Sequence, residues 1–288
     1  MTTAPPSCSA PSASRETASN VNENFAAGGT VPSPSSVWRI LSPILAIASF
    51  LMLWDMAVRI SGTNLFPAPL EVGLGLVELV QKRLLLKYIV ASLFRVTWGF
   101  TLAVAIGVPL GLLLGWFRGA QAALNPLIQA FRPISPIAWI PVAILWFGVS
   151  DAAPIFLIFL ASVFPITVSS MAAVKSVQLV HLRAAQNFGL SNAQLFRRII
   201  LPATLPQIIT ALRISLGVAW LVVVAAEMIA VNSGLGYLII DARNAGKRYD
   251  LVVAGMVVIG VVGWLLDLLM RQLEKFRALK WAYGIRHD

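Results

Sequence analysis

Residues 96–117 read VTWGFTLAVAIGVPLGLLLGWF and contain no charged side chain between Arg95 and Arg118. A helix rises about 1.5 Å per residue, so these 22 residues are enough to cross a hydrocarbon core of about 30 Å. Similar apolar runs occupy residues 39–60, 124–146, 152–174, 207–230 and 251–270. The sequence therefore predicts an all-α membrane protein with about six transmembrane helices.

The composition supports a chain whose natural solvent is lipid. Hydrophobic residues make up 58% of the 288 residues and charged residues only 12%. Soluble domains carry about 25% charged residues, so an ordinary soluble enzyme and a largely disordered chain are both excluded. The net charge of +10 fits Lys and Arg in cytoplasmic loops, and we expect no nucleic-acid partner. One cysteine and two distant histidines predict no metal site.

The segments outside the spans have distinct compositions. Residues 1–36 are rich in Ser, Pro and Ala, which predicts a disordered N-terminal tail. The connection 61–88 predicts an amphipathic helix on the membrane surface or packed on the bundle. Its apolar face would hold Leu70, Leu74, Val77 and Val80. Residues 89–272 would then form the main transmembrane domain, and residues 273–288 a C-terminal tail.

The distribution of Lys and Arg predicts the orientation. With a cytoplasmic N-terminus, the inside segments hold 12 of these residues and the outside segments 7. Cytoplasmic loops are enriched in Lys and Arg, so we expect both termini to be cytoplasmic.

Small residues recur every fourth position in the second span. They are Gly99, Ala103, Gly107, Gly111, Gly115 and Gly119. Small residues at this interval allow another helix to approach closely. We expect a helix-packing face centred on Gly107, Gly111 and Gly115.

The polar connection 175–206 reads KSVQLVHLRAAQNFGLSNAQLFRRIILPATLP and should lie on the cytoplasmic side. Residues 182–188 can form two helical turns, and Gly189 is a typical C-terminal stop. Ser191 and Gln194 have the spacing of a capping box for a second helix, parallel to the membrane. Pro202 would end that helix and Pro206 would open the next span.

One pattern in this connection is specific. Arg183-Ala-Ala-Gln-Asn-Phe-Gly189 is followed by nine residues and then by Ile199-Ile-Leu-Pro202. It resembles the loop motif Glu-Ala-Ala-x3-Gly-x9-Ile-x-Leu-Pro of bacterial ABC importer permease subunits. Arg183 replaces the glutamate, at a position that varies within the family.

Other stretches resemble the branch of that family that imports nitrate, sulfonates, taurine or bicarbonate. The likeness covers about residues 60–275. The stretches are Phe66-Pro-Ala-Pro69, Ser92-Leu-Phe-Arg95, Arg132-Pro-Ile-Ser-Pro136, Trp146-Phe-Gly148, Leu212-Arg213-Ile214, Ala226-Glu227-Met228 and Gly234-Leu-Gly236.

The resemblance implies a type I ABC importer transmembrane domain in a bacterial inner membrane. The chain would form half of a translocation pathway with a second permease subunit, identical or different. An ATP-binding subunit would dock on the cytoplasmic side, and a periplasmic or lipid-anchored binding protein would deliver the substrate. The residues that couple to the ATPase would be Arg183, Ala184, Ala185, Gly189, Ile199, Leu201 and Pro202.

The chain has no G-x-x-x-x-G-K-[ST] phosphate loop, so we expect a non-catalytic subunit without a cofactor of its own. ATP would be used by the partner ATPase.

Charged residues inside spans cost about 2.5–3.5 kcal/mol each on insertion scales and therefore mark candidate pathway positions. Arg213, Trp220 and Glu227 share one face of the fifth span, which should point into the protein or into a wet cavity. Arg132 lies among prolines of the third span, near Trp139, in a region that is either pathway-lining or a structural kink. The alternatives are a buried ion pair or snorkelling for the arginines, and packing for the tryptophans.

Two rival functions remain open at this point. A stand-alone, gradient-driven secondary transporter or channel would explain the charges within the spans equally well. It would not explain the loop motif, and no internal repeat is evident. A membrane-embedded enzyme is disfavoured because no nucleophile and base, paired carboxylates or histidine cluster converge in any loop.

Overall fold

The computed structural model describes residues 36–62, 66–244 and 246–274. The predicted N-terminal tail, apart from Ser36, and the predicted C-terminal tail, apart from residues 273 and 274, lie outside the described residues. The chain is divided into two compact units, the first ending at Trp54 and the second beginning at Asp55. The described residues form helices and no strands.

The helices follow the apolar runs of the sequence. They are α1 (Ser36–Ser61), α2 (Pro69–Gln81), α3 (Leu84–Trp116), α4 (Arg118–Phe131), a 3₁₀ turn (Pro136–Trp139), α5 (Ile140–Phe147), α6 (Ala152–Lys175), α7 (Leu179–Asn187), α8 (Asn192–Leu195), a π turn (Phe196–Ile200), α9 (Leu201–Ala230), α10 (Leu235–Asn244) and α11 (Tyr249–Glu274).

Five of the described helical stretches are long and apolar enough to cross a membrane, or six if α4 and the helix after its bend count as one span. This confirms the predicted all-α membrane protein. The third predicted span, residues 124–146, is rich in prolines and is bent, with its two halves meeting at 83°. Pro133 and Pro136 lie at the bend, where each lacks an N–H donor and its ring disfavours a continuing helix.

The centre of the second unit is the close pair α3 and α6. A Cβ added at Gly99 would lie 2.7 Å from Ile158 Cβ, and one at Gly115 would lie 2.5 Å from Val174 Cβ. Gly111 is tighter still, since its added Cβ would overlap the Thr167 carbonyl oxygen. Gly119 lies outside this contact, with nothing within 4 Å of its added Cβ. The helices therefore approach closely from Gly99 to Gly115 only.

The amphipathic helix α2 packs with the face opposite to its apolar stripe. Its buried residues are Val72, Gly75 and Leu79, and an added Cβ at Gly75 would lie 3.3 Å from Leu251 Cδ2 of α11. The predicted apolar face is left exposed, at Leu70, Leu74, Val77 and Val80. Of the two predicted locations, the structure shows packing on the bundle, but through the face opposite to the predicted one.

One prediction about the connection 175–206 is wrong. Pro202 does not end the second helix, because residues 192–230 form one helical stretch of 39 residues. A π turn at Phe196–Ile200 immediately precedes the proline. Such an expanded turn accommodates the missing Pro202 N–H and the bulk of its ring without breaking the helix.

Candidate functional site

The short helix α7 is a surface feature anchored on one side. It ends in two hydrogen bonds that stop a helix at a left-handed residue, from Gly189 N to Gln186 O at 2.9 Å and from Leu190 N to Ala185 O at 3.3 Å. Gly189 has φ +76°, which confirms the predicted glycine stop. Ser191 then caps α8 in a capping box with Gln194, also as predicted.

The inner face of α7 fixes it to the helix bundle. Ala185 is buried, and Leu182 packs against a cluster that contains Leu112, Val174 and Ile200. The Phe196 ring meets the Trp116 ring edge-on with centroids 5.8 Å apart. Leu182 thus joins α7 to residues of α3, α6, the π turn and α9, and the π turn is itself packed on α3.

The outer face of α7 is apolar and exposed. Leu179 is 65% exposed, Val180 70% and Phe188 85%. Three residues of the loop motif are exposed: Arg183, Ala184 and Gly189. Three more are half-buried: Ile199, Leu201 and Pro202. An anchored helix with an unpaired apolar face is suited to inserting into a groove on a second protein.

A buried ionic network lies at the opposite end of the bundle. Arg95 and Glu227 are 1% and 0% exposed, and Arg95 Nη1 donates to Glu227 Oε1 at 2.7 Å. Arg95 Nε also donates to Asp151 Oδ1 at 2.8 Å, and its Nη1 to the Ser233 carbonyl oxygen at 2.7 Å. Two opposite charges that pair and satisfy their remaining hydrogen bonds are tolerated at depth.

Glu227 has three partners and a crowded surrounding. Its Oε2 accepts hydrogen bonds from Ser92 Oγ at 2.8 Å and from Gly236 N at 3.0 Å. Gly234 adopts φ +106°, and a Cβ there would overlap the Glu227 carboxyl group. Three stretches that are far apart in sequence, 92–95, 226–228 and 234–236, thus meet around one carboxylate.

Sequence reasoning missed this network as a unit. It places Glu227 among the candidate pathway residues and names the stretches 92–95, 226–228 and 234–236 as parts of the family resemblance, without bringing them together. The usable signal was the pair of opposite charges within apolar segments, each of which needs a partner.

Arg213 and Trp220 also face neighbouring helices. Arg213 Nε donates to Asp267 Oδ1 of α11 at 2.6 Å, and Trp220 Nε1 donates to the Ile259 carbonyl oxygen at 3.1 Å. The polar face of the fifth span therefore points into the protein. Neither of the two cavities described below is lined by Arg213, Trp220 or Glu227. This favours the alternative roles of these residues, as ion-pair partners or packing residues, over contact with a substrate.

Arg132 and Trp139 do line a cavity. This first cavity has a volume of about 620 Å³ and lies between the bent pair α4/α5 and the helices α6 and α9. Aliphatic and aromatic side chains form its wall, the latter including Trp146, Phe156 and Phe164, and among the described residues Arg132 is its one ionisable lining residue. A second cavity, of about 640 Å³, lies between α6 and α9 and is lined by Ser169, Gln207, Thr210 and Ser215 among apolar residues.

No group of three His, Cys, Asp or Glu residues is placed to hold a metal ion within residues 36–62, 66–244 and 246–274.

Known proteins resemble the chain along most of its length. The taurine transport system permease protein TauC of Escherichia coli K12 is 41% identical over 68% of this chain and 70% of that protein. The bicarbonate transport system permease protein CmpB of Synechococcus elongatus is 33% identical over 86% of this chain and 95% of that protein. The nitrate import permease protein NrtB of Synechocystis sp. is 34% identical over 82% of this chain and 88% of that protein.

Solved structures of ABC transporters share the fold. An inward-facing MetNI methionine ABC transporter matches with a TM-score of 0.59 at 21% identity, over 68% of this chain and 96% of that chain. A bacterial alginate ABC transporter, in complex with a periplasmic protein bound to an alginate pentasaccharide, matches with a TM-score of 0.58 at 17% identity, over 84% and 98%. These likenesses confirm the predicted transmembrane-domain fold.

The family of binding-protein-dependent transport system inner membrane components matches residues 107–278. Together with the relatives and the helical architecture, this match shows that the chain belongs to that family, as a multi-pass permease subunit of an ABC transport system.

Proposed function

We propose that the chain forms half of the translocation pathway of an ATP-driven import system for a small anion, such as nitrate, taurine or another sulfonate, or bicarbonate. The observation that carries this proposal is the first cavity, whose one ionisable lining residue among those described is Arg132. Arg132 is itself exposed, and a cation beside an apolar wall attracts an anion more strongly than one surrounded by water, because the wall screens its charge less. The taurine, bicarbonate and nitrate permeases that resemble the chain support the same substrate class.

Coupling to ATP would occur through α7. Its exposed Leu179, Val180 and Phe188 would insert into a groove of the ATP-binding subunit, with Arg183 at the rim. The chain itself contains no phosphate-binding loop, so ATP would be bound and hydrolysed by that partner. Closure of the ATP-binding subunits would pull on α7, and through Leu182 and Ala185 on the bundle.

The remaining partners follow from the family and from the charge distribution. A periplasmic or lipid-anchored binding protein would deliver the anion to the end of the bundle that holds Arg95 and Glu227. A second permease subunit, identical or different, would complete the pathway. Both termini would be cytoplasmic, since this orientation puts 12 Lys and Arg inside against 7 outside.

Uptake measurements in the native host test this function. Cells with and without the chain are given labelled taurine, nitrate and bicarbonate, before and after ATP depletion. We expect ATP-dependent uptake of at least one probe that requires the chain. Uptake that follows an ion gradient and continues without ATP would instead support a stand-alone secondary transporter.

Substitution of Arg132 tests the role of the first cavity. Arg132→Ala should lower this uptake by about tenfold, which corresponds to about 1.4 kcal/mol of lost interaction with the anion. Arg118→Ala is the matched control, because Arg118 is an exposed arginine at the start of α4, the helix that Arg132 follows, and does not line the cavity. Normal uptake by Arg132→Ala at wild-type abundance would remove Arg132 from the pathway.

A further inference from the structure

The two cavities lie end to end along the same pair of helices. Pro165 lines both of them. On α6 the first cavity extends from Phe156 to Pro165, and the second continues from Pro165 to Ala172. On α9, Val218 lines the first cavity, and the second runs down to Pro206. Phe156 and Ala172 are sixteen positions apart, which corresponds to about 24 Å along the helix, most of the thickness of a hydrocarbon core.

The chemistry changes where the cavities meet. Arg132 and aromatic side chains line the first cavity, whereas four neutral hydrogen-bonding side chains line the second: Ser169, Gln207, Thr210 and Ser215. Among the described residues, neither cavity has an acidic lining residue. The second cavity is nearer to the connection 175–206, since its lining includes Ala172 just before this connection and Pro206 at its end.

Three of the four polar side chains of the second cavity have donors that are available to a ligand, whereas the Thr210 hydroxyl already donates to the Pro206 carbonyl oxygen at 3.2 Å. Gln207 Oε1 accepts a hydrogen bond from Ser176 Oγ at 3.0 Å, which leaves the two N–H groups of the Gln207 amide for donation. Ser215 is 2% exposed and Ser169 half-buried. Neither hydroxyl bonds to another residue within the part of the chain that the structure describes. Such groups are costly to turn toward lipid, so this surface suits contact with water or a polar solute.

We propose that the second cavity, which Thr210 also lines, is a second binding site, at which the neutral donors of Ser169, Gln207 and Ser215 hold the transported oxyanion on its way to the cytoplasm. This inference rests on the proposed function and deepens it. Hydroxyl and amide N–H groups hold an oxyanion more weakly than a guanidinium does. A charged site followed by a neutral one lets an anion enter and still leave, as conduction through several sites requires.

Cysteine labelling tests the site without depending on transport. In the full complex, Cys8 is replaced by Ser, and Ser169→Cys or Thr210→Cys is introduced. Inside-out membrane vesicles are treated with an anionic sulfonate methanethiosulfonate reagent or its cationic trimethylammonium analogue, and rates are normalised to those with a free thiol. Ser170→Cys is the matched control, because the adjacent Ser170 is fully buried against α3.

We expect Ser169→Cys and Thr210→Cys to react about tenfold faster than Ser170→Cys, with a normalised preference for the anionic reagent. Equal rates at all three positions, or a preference for the cationic reagent, would overturn the second binding site.

Uptake by a triple variant provides a second, independent test of this site. Ser169→Ala with Gln207→Leu and Thr210→Val should lower uptake of the probe carried by the wild type by about tenfold. The control is Ser162→Ala with Ser170→Ala, since both serines are buried on the same helix and line neither cavity.

If the wild type takes up a probe and the triple variant takes it up equally well, the second binding site is rejected and the proposed function stands. If the wild type takes up none of the probes, the proposed function is rejected. The labelling result then decides whether the second binding site exists.

Discussion

Replacement of Glu227 by alanine perturbs the buried network at its centre. The change removes the acceptor of hydrogen bonds from Arg95 Nη1 at 2.7 Å, Ser92 Oγ at 2.8 Å and Gly236 N at 3.0 Å. Arg95 stays 1% exposed and keeps Asp151, whose side chain is 58% exposed, as its remaining ionic partner. A buried charge that loses its buried partner destabilises a protein by about 3–5 kcal/mol.

This loss of stability is large enough to measure by thermal unfolding of the purified complex, monitored by tryptophan fluorescence. At about 2–4 °C per kcal/mol, Glu227→Ala should lower Tm by about 6–20 °C. Asp55→Asn is the control, because it breaks an exposed ion pair with Arg59 that contributes little.

The double variant Arg95→Met/Glu227→Ala should recover part of the loss, since it leaves no unpaired buried charge. A Tm for Glu227→Ala within about 1 °C of wild type, or strict additivity in the double variant, would refute the reasoning.

Three further changes have defined outcomes. Gly111→Ala should destabilise the complex by about 1–3 kcal/mol because its methyl group overlaps the Thr167 carbonyl, whereas Gly119→Ala, with open space around it, should leave Tm unchanged. Gly189→Asp should abolish the stimulation of ATP hydrolysis by loaded binding protein with little loss of Tm, since φ is +76° there and nothing lies within 4 Å; unchanged stimulation would contradict this. Hydrogen bonds from Arg248 and Lys82 lower the pKa of Glu78 from 4.5 to about 2, so its contribution to stability is present above pH 4.5 and lost as the pH falls toward 2. The Tm difference between wild type and Glu78→Gln should shrink over that interval, and a constant difference would count against the pairing.

Local patterns predicted local structure well. Apolar runs of span length gave the membrane helices, and the Ser191–Gln194 spacing predicted the capping box that the structure shows. Gly189 was identified as a helix stop, and it has the left-handed conformation that such a stop needs. These features depend on residues within a few positions of each other.

Features that depend on distant residues were not predictable from spacing. The pairing of Arg95 with Glu227 joins residues 132 positions apart, and only the bundle brings them together. Helical periodicity placed Arg213 and Trp220 on one face but did not show that α11 covers that face. Proline usually ends a helix, so Pro202 predicts a helix end. This prediction fails because the π turn before Pro202 has no simple sequence signature.

The most direct test of the central claim is a pull-down of the tagged chain from its host in mild detergent, with partners identified by mass spectrometry. A variant with residues 183–189 replaced by a Gly/Ser stretch is compared at equal abundance and Tm. We expect the wild type to retain an ATP-binding ABC subunit that the variant loses. A folded wild type that retains no such subunit, or a variant that retains it equally, would contradict docking through α7.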